Sequence, residues 1–76
     1  MERLQKFLAK LDTKRRRKIE KIVEAIMTGR HQSLNIKPLT DIPGHYRCRV
    51  GDIRILFRKY EGGYIAYDAG FRGDIY

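Results

Sequence analysis

The hydrophobic pattern of the chain changes period near its middle. Leu4, Phe7, Leu8 and Leu11 recur at i, i+3, i+4 and i+7, the spacing of one helical face, and predict a short amphipathic helix over about 2–11. Asp12 or Thr13 then breaks the pattern and offers an N-cap. A second helix over about 13–28 follows, with Ile19, Ile22, Val23, Ile26 and Met27 on its buried stripe and Gly29 as its stop. The short connection predicts an antiparallel helical hairpin. Residues 30–44 hold no sustained period and read as a connector. Within it Leu34, Ile36 and Leu39 tuck onto the core, Pro38 pushes Lys37 towards extended geometry, and Pro43-Gly44 turns the chain.

From His45 the period becomes two. Residues 45–50 and 53–60 form β-rich runs around Gly51-Asp52, and glycine accepts the positive φ of a two-residue hairpin turn. That turn sets Val50 against Ile53, Arg49 against Arg54, Cys48 against Ile55 and Tyr46 against Phe57. Alternation then gives one face Tyr46, Cys48, Val50, Ile53, Ile55 and Phe57, and the other His45, Arg47, Arg49, Arg54 and Arg58. A third strand is predicted over about 64–69. A three-residue loop before it pairs Phe57 with Tyr67 and Ile55 with Ala69, and sends Asp68 to the arginine face beside Leu56. A two-residue Gly62-Gly63 loop would bury that carboxylate unpaired, at a large cost. Tyr60 and Tyr64 are expected to form a cross-strand aromatic pair beside this loop. The predicted fold is α+β: an N-terminal antiparallel helical hairpin packed on a three-stranded antiparallel sheet, in one domain spanning 1–76.

Composition narrows the class. Hydrophobic residues make up 42% and charged residues 34% of the 76, which is globular rather than disordered. The net charge of +8 points to a polyanion or an acidic protein as partner. Residues 1–30 carry most of it, ten Lys/Arg against four Asp/Glu, and the run Lys14 to Lys18 opens the second helix, where the macrodipole disfavours cations. This run reads as a solvated face or as a basic collar. Cys48 has no second cysteine to join and sits on the apolar strand face, so a buried, inert thiol is expected. His31 and His45 lack ligand spacing, so neither a metal nor another cofactor is expected. The lack of a membrane-span or signal-peptide run predicts a cytoplasmic protein with no membrane partner.

The arginine face is the chemical feature. Like charges directly opposite across strands are destabilising, so the Arg49–Arg54 pair calls for an anion. If the last strand continues past Gly70, Arg72 joins the same face. Arginines hold phosphate by paired donors and stabilise charge that builds on it. A tyrosine can stack on a base or exchange a proton with a 2′-hydroxyl, and RNA supplies that hydroxyl as an internal nucleophile. His45 reads as a strand-edge residue rather than a base.

Three stretches together, Lys37-Pro38-Leu39, Pro43 to Arg54 (P-G-H-Y-R-C-R-V-G-D-I-R) and Gly70 to Tyr76 (G-F-R-G-D-I-Y), resemble the RelE/ParE superfamily of type II toxin–antitoxin toxins over essentially the whole chain. The specificity lies in Y-R-x-R-V-G-x-x-R followed by G-x-R-x-D-I-Y. The resemblance implies a RelE-like fold and a ribosome-dependent, metal-independent mRNA endoribonuclease that inhibits translation and is neutralised by a cognate acidic antitoxin. It assigns transition-state stabilisation to Arg54, the leaving-group side or phosphate binding to Arg72, and stacking or proton transfer to Tyr76. RNA and phosphate contacts fall on Arg47, Arg49 and Arg58. The chain departs from the family in beginning directly with a helix rather than a strand, and in placing arginine where the best-known members have lysine. The ribosome and mRNA are the implied partners, with a homodimer or a toxin–antitoxin hetero-oligomer as the assembly. Two rivals share the fold: a ParE-like, non-enzymatic inhibitor of DNA gyrase, and a catalytically degenerate, antitoxin-binding member.

Overall fold

The two helical periods become α1, Glu2–Ala9, and α2, Thr13–Met27, in a computed structural model that describes residues 2–71. Asp12 starts α2: its backbone is extended (φ −65°, ψ 167°) and its Oδ1 accepts the Arg15 N–H at 2.8 Å. One of the four orphan donors of the first turn is satisfied in this way. Gly29 at φ 80° ends the helix in the left-handed region, where a side chain would be strained. Ile19 and Ile26 are fully buried, with Ile22 and Val23 packed beside them. Met27, expected on the buried stripe, is 39% exposed instead. It is the final helical residue, and its backbone carbonyl rather than its side chain approaches Gly63.

The sheet holds four strands rather than three: β1, Asn35–Pro38; β2, His45–Val50; β3, Ile53–Tyr60; and β4, Gly63–Phe71. They follow one another in sequence order, each antiparallel to the next. The additional strand lies inside the stretch expected to be a connector. Its partner is the outer side of β2, with Ile36 opposite Cys48 and Pro38 opposite Tyr46. An edge position tolerates Pro38, which has no N–H to give a ladder.

The β2–β3 register is the one the alternation predicts, from Val50↔Ile53 to His45↔Arg58. Across β3 and β4 the outcome is mixed. Arg54↔Gly70, Ile55↔Ala69 and Leu56↔Asp68 match the three-residue-loop register. Phe57, however, faces Ala66 rather than Tyr67, and the turn is Glu61-Gly62. A bulge between the two halves absorbs Tyr67. Carried straight on from this turn, the pairing would set Asp68 opposite Ile55, on the core face. The extra residue restores the phase and leaves both Tyr67 and Asp68 on the polar side. Asp68 is nevertheless buried, at 8% exposure, and its burial is offset by pairing with the Ala69 N–H and Arg3. The expected Tyr60–Tyr64 pair is also replaced: Tyr64 faces Lys59, Tyr60 faces Gly63 and stays 48% exposed.

Both helices cover one face of the sheet, joined by a core of Leu4, Phe7, Leu11, Ile19, Ile26, Cys48, Ile53, Ile55, Phe57, Ala66 and Ala69. Phe57 is its centre, with no exposed surface, stacked on Tyr46 at 5.4 Å between centroids and edge-on to Tyr64 at 5.9 Å. His31 packs edge-on against both Phe57 and Tyr64, and its Nε2 lies 3.0 Å from the Ile26 carbonyl. His31 thereby closes the end of α2 over the core.

Candidate nucleic-acid interface

The face turned away from the helices follows from the same register. Along it stand Asn35 and Lys37 of β1, His45, Arg47 and Arg49 of β2, and Arg54, Leu56 and Arg58 of β3. Arg49 is directly opposite Arg54 and Lys37 directly opposite Arg47. The only carboxylate that the described strands add to this face is Asp68, and it is already engaged. Its Oδ1 accepts the Ala69 N–H at 2.8 Å and its Oδ2 lies 3.4 Å from Arg3 Nη2, which reaches over from α1.

The β1–β2 loop turns this charged surface into a groove of ≈ 450 Å³ lined by Pro38, Leu39, Thr40, Asp41, Ile42, Arg47 and Arg54. The loop is pinned by its own backbone. Leu39 N–H donates to the His45 carbonyl at 2.9 Å, His45 N–H to the Ile42 carbonyl at 3.2 Å, and Lys59 N–H to the Gly44 carbonyl at 2.9 Å. Gly44 sits at φ 79°, so glycine is needed there for the chain to re-enter β2. Two half-buried guanidiniums therefore share a groove with the apolar side chains of Leu39 and Ile42, the latter 46% exposed. Paired donors beside an apolar wall suit a phosphate attached to a flat base.

Of the residues expected to form the site, Arg47 and Arg54 meet in this groove. Arg49 adjoins Arg54 on the exposed surface, and Arg58 stands at the far end opposite His45. Arg72 and Tyr76 lie outside the described residues. Leu39, expected on the core, lines this groove instead, while Leu34 and Ile36 do pack against the core; sequence reasoning missed Thr40, Asp41 and Ile42 as a groove wall. It also missed the contact between His45 Nδ1 and the Tyr67 hydroxyl, 2.9 Å apart, because the bulge that places Tyr67 leaves no mark in the alternation.

Other sequence candidates resolve differently. Arg15, inside the basic run of α2, bonds Asp52 at 2.7 Å through Nη2 and lies over the Phe71 ring at 5.5 Å, fastening the helix to the β2–β3 turn. Lys14, Arg17, Lys18 and Lys21 remain solvent-facing. Cys48 is fully buried, and burial pushes its thiol up to about 11, so it stays protonated near neutral pH. Among the described residues no group of three or more His, Cys, Asp or Glu is arranged to hold a metal ion, and no helix is long and apolar enough to cross a membrane.

Neither a protein-family model nor a curated protein matches the sequence. The fold does have a solved counterpart. A chain in the crystal structure of the RelB–RelE antitoxin–toxin complex from Methanococcus jannaschii superimposes with a TM-score of 0.78 and 25% identity, over 96% of this chain and 88% of that one. The protein is therefore similar, along nearly its whole described length, to a component of a toxin–antitoxin pair.

Proposed function

We propose that the chain is the toxin of a toxin–antitoxin pair and acts as a RelE-like endoribonuclease on mRNA at the ribosome. The observation that carries this reading is the arginine groove: Arg47 and Arg54 on one wall, Arg49 held opposite Arg54 by the register. Guanidiniums set side by side present paired donors that suit the oxygens of a phosphodiester. Arg54 would stabilise the charge that builds on phosphorus, while Arg47, Arg49 and Arg58 hold the backbone on either side. The proposed roles of Arg72 and Tyr76 rest on the sequence resemblance. A partner antitoxin of acidic character would complement the +8 net charge.

Induced expression in a bacterial host tests the reading. Protein synthesis is expected to stop within minutes while replication continues, and Arg54→Ala, checked for folding by circular dichroism, is expected to lift the arrest. Arrested replication with intact protein synthesis would instead point to gyrase. Normal growth with a folded, soluble wild-type chain would point to a member that only binds its antitoxin.

A further inference from the structure

Guanidinium groups can hold a phosphodiester, but they do not release a proton near neutral pH. Cutting RNA through its 2′-hydroxyl needs a group that accepts one. Two proton-exchanging side chains meet on the arginine face: His45 at the start of β2 and Tyr67 in the β4 bulge. Their contact is 2.9 Å between Nδ1 and the hydroxyl oxygen, with the rings edge-on at 5.5 Å and both residues half-buried. We propose that His45 is the general base of the RNA cleavage and that Tyr67 is its positioning residue, an inference that rests on the endoribonuclease reading above.

The placement supports it. Arg47 lies two residues along β2 on the same side, about 7 Å away by strand geometry. The loop that walls the groove hydrogen-bonds to the His45 backbone at both N–H and C=O. In the proposed tautomer Nδ1–H donates to the Tyr67 oxygen, so that Nε2 carries the lone pair and faces substrate. The bulge matters here as well, because it allows Tyr67 and Asp68 to share the polar face. Asp68 then engages Arg3 and leaves Tyr67 as the partner of the imidazole.

The chemistry balances without a further reactant. Nε2 takes the proton of the 2′-hydroxyl as the 2′-oxygen bonds to the adjacent phosphorus, and the bond from phosphorus to the 5′-oxygen breaks. The departing oxygen takes a proton from water, and the hydroxide so formed takes the proton held by the imidazolium. The products are a 2′,3′-cyclic phosphate and a 5′-hydroxyl end. Beside His45 stand Arg47 on its own strand, Arg58 opposite on β3 and Tyr67 on β4.

Single-turnover cleavage on mRNA-programmed ribosomes tests the assignment. His45→Gln should lower the rate constant about 10²–10⁴-fold, with ribosome binding unchanged. Tyr67→Phe should lower the rate less and leave KM in place. Nitrogen-15 NMR of the wild-type chain is expected to show the lone pair on Nε2, a readout that survives if a variant fails to fold. Wild-type cutting with His45→Gln within about threefold, or the lone pair found on Nδ1, would overturn the base assignment and leave the ribonuclease reading intact. No cutting by the folded wild-type chain would overturn both.

Discussion

Arg49 and Arg54 oppose each other because of what lies on the reverse of the sheet. Cys48, Ile53, Ile55 and Phe57 have essentially no exposed surface, so a one-residue slip would carry an apolar set into water. The core therefore imposes the charge opposition, and the polar face bears its cost. Replacing Arg49, which is exposed, by threonine is expected to raise stability by about 0.2–1 kcal/mol at low salt, with the gain shrinking as salt is added. Urea denaturation at two ionic strengths checks this, and a loss of stability would contradict it. Cys48 yields a second prediction at this scale. Its thiol is raised from 9.0 to about 11 by burial, so the neutral form is favoured by folding. Its contribution is fully present below pH 9.0 and is lost as pH rises through about 11, on the order of 2–3 kcal/mol in all. Stability measured between these limits should fall more steeply for the wild type than for Cys48→Ala.

At the scale of elements, the sequence was informative wherever a period ran long enough to be counted. Both helices, the β2–β3 hairpin and its faces follow from spacing alone, and Asp12 caps α2 as its residue type suggests. Asp12→Ala is expected to cost about 1 kcal/mol, read from the thermal midpoint, since Arg15 N–H loses its acceptor. What spacing does not encode is pairing at a distance. β1 has four residues, ends in proline and presents a single inward apolar side chain, Ile36, so only its hydrogen bonding to β2 makes it a strand. The bulge at Tyr67 is hidden for a similar reason. A two-residue turn plus one extra residue gives the same pairing beyond the bulge as a three-residue turn without one. The arginines were therefore legible from sequence, while the groove wall and the His45–Tyr67 contact were not. Those two features depend on a strand and a bulge that local pattern leaves ambiguous.

The whole molecule is small for what it carries. A chain of 76 residues buries only about 60% of its unfolded surface, so few large side chains dominate its stability. Phe57→Ala removes the centre of the aromatic cluster with Tyr46, Tyr64 and His31, and is expected to cost about 3–5 kcal/mol. That is comparable to the total stability of many domains, so calorimetry should find this variant largely unfolded or close to it. The division of labour is also molecular in scale: helices and apolar residues on one side of the sheet, arginines and groove on the other. This second side is the one proposed to cut RNA. Mapping mRNA 5′ ends by primer extension, after adding the purified chain to a reconstituted translation reaction, tests that proposal most directly. New ends are expected within codons at the ribosomal A site and are expected to disappear with Arg54→Ala. Unbroken mRNA in the presence of the folded wild-type protein, or cuts that persist unchanged in Arg54→Ala, would contradict it.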